Sequence, residues 1–220
     1  MLYNKKKIVK IVETIFNVTY LGTVLILAFI FSFSASPDNF RFYFGILAFI
    51  LVFGDSFHLV PRVAAMWDSK KDYEKSMGIG KMITSVTMTI FYAGLWFLGL
   101  YYYELSLTLA TVIVIILIIL RIVLCIMPQN KWTSTAAPYN WTILRNIPFF
   151  LLGAFVTVLF IYGGIHKPSG LSFLSLAVFI SFTFYLPVVL YAHKNPKIGM
   201  FMLPKSCAYV AIILMGFSLI

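Results

Sequence analysis

The sequence predicts an all-α, multi-pass membrane protein of seven transmembrane helices, and three observations predict it. Hydrophobic residues make up 61% of the 220 and charged residues 11%, where a soluble domain carries ~25% charged. Mean hydropathy is +0.96. Apolar windows of about 20 residues, enough to cross a bilayer, recur seven times. They cover residues 9–33, 41–64, 77–102, 105–127, 141–163, 170–192 and 198–220. A chain of this length forms one bundle over 1–220, with no room for a separate soluble domain.

Each element follows from what bounds it. The first run has a basic start, Lys5 to Lys7, and ends before "SAS", as a secretory signal does. Signal cores span about 7–15 residues; this run is longer and contains Glu13 and Asn17, so a retained helix is expected. "SASPDN" turns the chain into the second helix, and "MWDSKKDYEKS" separates the second from the third. The β-branched run "TVIVIILIIL" in the fourth is too long and uniformly apolar for a strand. "MPQNKWTSTAAP", "GGIHKPSG" and "HKNPKIG" punctuate the remaining spans. Short connections make sequential helices antiparallel neighbours.

Charge sets the expected direction. Lys5, Lys6, Lys7 and Lys10 share one side with Arg62, Lys70, Lys71, Lys75, Lys81, Lys131, Arg145, Lys194 and Lys197, while the other side holds Arg41 and Lys167. By the positive-inside rule the N-terminus is cytoplasmic and the C-terminus external, in a cell membrane. Trp67, Trp132 and Trp141 fall at the inner interface, where an aromatic belt is expected. The net charge of +10 therefore reads as topology, and nucleic acid is not an expected partner. Membrane lipids are. Cys125 and Cys207 lie in apolar runs without CxxC or HxxxH spacing, so no disulfide, metal or cofactor is expected.

The polar residues then stand out. Asp55 lies about 20 Å of helix beyond Arg41, just past the middle of a ~30 Å hydrocarbon core. Asp55, His58 and Arg62 are spaced i, i+3, i+7 and line one helix face. Pro61 removes a backbone donor there. The first helix offers Glu13, Asn17 and Tyr20 at i, i+4, i+7; the third offers Lys81, Ser85 and Tyr92. Arg145 and Asn146 open the fifth helix, and Lys205 sits about two turns into the seventh. A polar, net-basic site facing the cytoplasmic leaflet is expected. A carboxylate is too short to snorkel, so Asp55 carries the functional expectation, with His58 one turn away able to share a proton. Glu13 has a blander reading, pairing with Lys10 or Asn17. Arg145 and Lys81 also read as snorkelling anchors, and Arg121 as a structural or interfacial charge. His166 and His193 lie at loop edges.

"AFILVFGDSF" followed by "GIGKMITSVTMTIFYAGL" resembles the core of the lysoplasmalogenase family of polytopic membrane proteins, over about residues 45–100. Gly54 and Asp55 are the positions that carry over. The family usually has eight helices and a Lys-Pro near the first; this chain has seven apolar runs and no such pair. The resemblance implies hydrolysis of a vinyl ether bond in lysophospholipid or lysoplasmalogen-like substrates. Proton delivery to carbon by a buried carboxylic acid suits that chemistry, with a second carboxylate to stabilise the cation or activate water. Asp55, His58 and Glu13 are then the candidate catalytic residues. Arg62, Lys205, Arg145, Asn146 and Ser85 are the candidate substrate-binding residues, since arginine forks match phosphate oxygens.

Other readings are weaker or rival. A metal-dependent amidase of the alkaline ceramidase type needs several histidine ligands, and only His58 is deep. A retinal protein would use Lys205, but the third helix has no carboxylate counterion. Pro128-Gln129 occurs once, at a helix end, and reads as loop rather than as a PQ-loop transporter. A transporter or sensor of a small anionic metabolite, coupled to protons through Asp55 and His58, uses the same basic site. No internal repeat supports it. A purely structural bundle is the third possibility.

Overall fold

A computed structural model describes residues 2–34, 36, 39–68, 71–134 and 138–219, with the side chains of residues 2–6 and of Pro196 outside the description. Lys70, and the side chains of Lys5 and Lys6, which enter the charge bias, therefore lie outside the described residues. The elements are α1 (Leu2–Phe33), α2 (Phe40–Trp67), α3 (Glu74–Tyr102), α4 (Thr108–Ile126), α5 (Tyr139–His166), α6 (Leu174–Tyr191) and α7 (Met202–Leu214). Single 3₁₀ segments precede α6 (Gly170–Phe173) and flank α7 (Pro196–Phe201 and Met215–Ser218). No strand occurs among the described residues. Seven helical segments are long and apolar enough to cross a membrane. The chain is a transmembrane helical bundle.

The ends differ from the apolar windows for identifiable reasons. Helix α1 starts at Leu2 because lysines are good helix formers, and hydropathy marks the lipid core rather than the helix end. Helix α2 continues through Pro61 to Trp67. Helix α4 begins only at Thr108, because Glu104 adopts a left-handed φ of 56° that turns the chain. The seventh span keeps its length with a short α-helix because the flanking 3₁₀ turns rise further per residue.

Six helices close a ring in which each touches the next: α1, α2, α3, α5, α6, α7 and back to α1. Helix α4 packs outside it, against α3 and α5. Its outward residues Val112, Ile113, Ile116, Ile119 and Ile126 are exposed, as a lipid-facing surface requires. The core runs unbroken from Phe31, Phe44 and Leu51 through Phe91, Tyr92 and Trp96 to Leu152, Phe160 and Ile212.

Antiparallel packing brings one end of every helix to a common face, the end that carries the chain's N-terminus. Two glycines let the backbones close there. A Cβ on Gly80 would overlap the Phe57 carbonyl, so only glycine allows α3 this near to α2 beside His58. A Cβ on Gly78 would overlap the Trp132 carbonyl, which lets the α4–α5 connection lie across the start of α3. Thr84 Oγ1 donates to the Gly54 carbonyl at 2.8 Å and locks the same α2–α3 contact.

Candidate functional site

The two polar faces legible on α1 and α2 meet each other. Seven residues, two helical turns, separate Glu13 from Tyr20 and also Asp55 from Arg62. With the helices antiparallel, both pairs coincide. Arg62 Nε donates to Glu13 Oε1 at 2.5 Å, and Tyr20 Oη donates to Asp55 Oδ2 at 2.6 Å. The suggested Glu13–Lys10 or Glu13–Asn17 pairing is thereby corrected: Lys10 Nζ instead donates to the Met66 carbonyl at 2.7 Å, at the C-terminal end of α2. An interhelical partner at matched depth displaced the intrahelical one.

A cavity of about 180 Å³ opens between α1, α2 and α7. Its polar wall is Glu13, Asn17, Asp55, His58, Arg62 and Lys205. Its mouth is apolar, with the exposed Ile8, Val9 and Val12 of α1 and Met200 ahead of α7. The candidate catalytic residues Asp55, His58 and Glu13 thus face one space, together with Arg62 and Lys205. Asp55 is 8% exposed and Asn17 5%, while the Nδ2 of Asn17 and the Nδ1 of His58 are buried without a hydrogen-bond partner among the described residues. No Asp55–His58 hydrogen bond forms; Tyr20 holds the carboxylate instead.

A second cavity, of about 530 Å³, adjoins the first. His58, Arg62, Thr84, Gly199, Met202 and Lys205 line both. The second chamber adds Lys81, Ser85, Arg121 and Arg145, with Trp132, Phe149 and Tyr185 between them. Among the described residues, no carboxylate lines it.

The cations here are positioned by local structure. Asn130, fully buried, donates through Nδ2 to the carbonyls of Leu124 and Met127 at 2.6 and 2.8 Å, and so satisfies the end of α4. Trp132 Nε1 donates to the Cys125 carbonyl at 2.8 Å for the same purpose. Tied down this way, the turn presents Asn130 Oδ1 to Arg145 Nη1 at 2.8 Å, and the Trp132 ring to the Arg145 guanidinium at 4.1 Å. Arg121, 2% exposed, donates through Nη1 to the Arg145 carbonyl and stacks over Phe149 at 5.1 Å. Lys205, 6% exposed, lies 4.1 Å from the centre of the Tyr185 ring.

The remaining candidates divide. Ser85 lines the basic chamber, its hydroxyl donating to the Lys81 carbonyl at 2.8 Å. Asn146 lines neither cavity; it accepts from Tyr185 Oη at 3.0 Å and donates to the Thr142 carbonyl. Sequence reasoning missed Arg121, Asn130 and Tyr185 as parts of the site. Arg121 carried the only available signal: an arginine inside "IILIILRIVLCI" stands in an otherwise apolar span and calls for a partner. No protein family, curated protein or solved structure matches the chain.

Proposed function

We propose that this chain is a cell-membrane hydrolase, with its N-terminus in the cytoplasm, that acts on single-chain lipids of the lysophospholipid or lysoplasmalogen type. One observation carries the proposal: an apolar-mouthed cavity containing a phenol-held carboxylate, Asp55, joins a chamber rich in cations. An amphiphile entering between α1 and α7 finds room for its chain beside Val9, Val12 and Leu203 and counter-charge for its phosphate beyond Lys205.

The reaction balances with the groups at hand. Asp55 in its acid form gives its proton to the β-carbon of the vinyl ether, leaving an oxocarbenium ion. Water adds to the α-carbon and loses a proton to a carboxylate, and the hemiacetal collapses to an aldehyde and the free glycerol hydroxyl. Glu13, ion-paired with Arg62, lines the same cavity and suits cation stabilisation.

The test is aldehyde release by the purified protein from lysoplasmalogens, with fatty-acid release from lysophospholipids followed in parallel, each class offered with zwitterionic and with phosphate-monoester headgroups. Asp55→Asn abolishes turnover while the protein still inserts and folds, since the neutral amide fills the same volume and brings no charge into the bilayer. No product from either lipid class with the wild type ends the hydrolase reading. A rival, proton-coupled transport or sensing of a small anion, has one observation in its favour: His58 borders both chambers, its Nδ1 unpartnered among the described residues. Anion-driven proton flux into vesicles, lost in Asp55→Asn, is its signature.

A further inference from the structure

The charge of the second chamber restricts what its ligand can be. Five cations line it: Arg62, Lys81, Arg121, Arg145 and Lys205. Glu13 compensates Arg62. Among the described residues, the other four enter no ion pair. Setting Lys205 against Asp55, in the neighbouring cavity, still leaves Lys81, Arg121 and Arg145 without a counter-charge. Arg121 and Arg145 are buried; an unpaired cation is costly there, and that cost falls away once an anion is bound among them. Arg121 is nearly fully buried, yet its Nε has no hydrogen-bond partner among the described residues. Lys205 also donates no hydrogen bond among the described residues; it packs on ring faces.

A zwitterionic headgroup does not suit this chamber. Phosphocholine and phosphoethanolamine bring a cation that needs a carboxylate or an aromatic cage. No carboxylate is available among the described lining residues. The aromatic faces are taken: Arg145 covers Trp132, Arg121 covers Phe149 and Lys205 covers Tyr185. A phosphate monoester has the opposite character. It carries close to two negative charges above its second pKa of about 6, and three oxygens that arginine forks and lysines can share.

We propose that the basic chamber is a phosphate-monoester site, lined by Lys81, Arg121, Arg145 and Lys205, and that the lipid handled by this protein has such a headgroup rather than a zwitterionic one. The lipid half of this statement rests on the reading under Proposed function; the monoester half rests on the chamber alone.

The experiment measures binding, not turnover, so the two fail separately. Full-length protein in maltoside micelles at about pH 8, where the monoester is a dianion, is titrated with three probes: n-dodecyl phosphate, n-dodecylphosphocholine and glycerol 3-phosphate. Thermal unfolding and tryptophan fluorescence report saturation. Dodecyl phosphate binds about tenfold or more tighter than dodecylphosphocholine, as loss of charge-assisted bonds dictates. Lys81→Gln, at a solvent-exposed lysine whose loss leaves the fold intact, and Arg121→Gln each weaken it about tenfold. Glycerol 3-phosphate binding as tightly as dodecyl phosphate retains the monoester and overturns the lipid half. Equal affinity for dodecylphosphocholine, or dodecyl phosphate affinity unchanged in Lys81→Gln and in whichever Arg121 variant folds, overturns the site. Tight dodecyl phosphate binding without any lipid hydrolysis supports the site while refuting the hydrolase.

Discussion

The hydroxyl of Tyr20 on α1 donates to Asp55 Oδ2 on α2 across 2.6 Å, inside the bundle and away from bulk water. It is the only hydrogen bond the buried carboxylate makes among the described residues, so the orientation of Asp55 depends on it. Two turns nearer the common face, the Arg62–Glu13 pair repeats the α1–α2 register.

The Tyr20–Asp55 bond predicts thermodynamic coupling. Tyr20→Phe and Asp55→Asn, measured singly and together by unfolding in mixed micelles, show an interaction energy of about 1 kcal/mol, in the upper part of the range for hydrogen bonds inside membranes. Additive effects would mean that the phenol does not orient the carboxylate.

The α2–α3 approach predicts opposite outcomes for two glycines. Gly80→Ala drives a Cβ into the Phe57 backbone, which cannot move aside like a flexible side chain, so α2 and α3 separate and the melting temperature falls by several degrees. Gly22→Ala on α1 meets nothing within 4 Å and gains helix propensity, up to about 1 kcal/mol. A Gly80→Ala protein as stable as wild type would refute the close contact.

Orientation has its own test. In a background with Cys125→Ser and Cys207→Ser, a Lys7→Cys variant resists membrane-impermeant maleimide in intact cells and reacts after permeabilisation. A Lys167→Cys variant, at the opposite end of the bundle, reacts without permeabilisation. Labelling of Lys7→Cys from outside reverses the assignment.

Much of this architecture was legible because it is local. A window of about 20 apolar residues is a membrane span whatever its neighbours are, since the bilayer sets the length. The faces Glu13–Asn17–Tyr20 and Asp55–His58–Arg62 follow from helical periodicity, a property of one segment at a time. Which face meets which is not local. Glu13 sits opposite Arg62, rather than beside Lys10, because α1 and α2 pack antiparallel in one register. Arg121 reads as an isolated charge along α4, and becomes chamber wall because α5 presents its backbone carbonyl at Arg145. Asn146 shares a helix end with Arg145, yet one residue is about 100° of helical rotation, enough to turn it toward Tyr185 and out of both cavities. Segment periodicity gives a residue its side of a helix; only the packing of the other helices assigns that side a partner, a cavity or lipid.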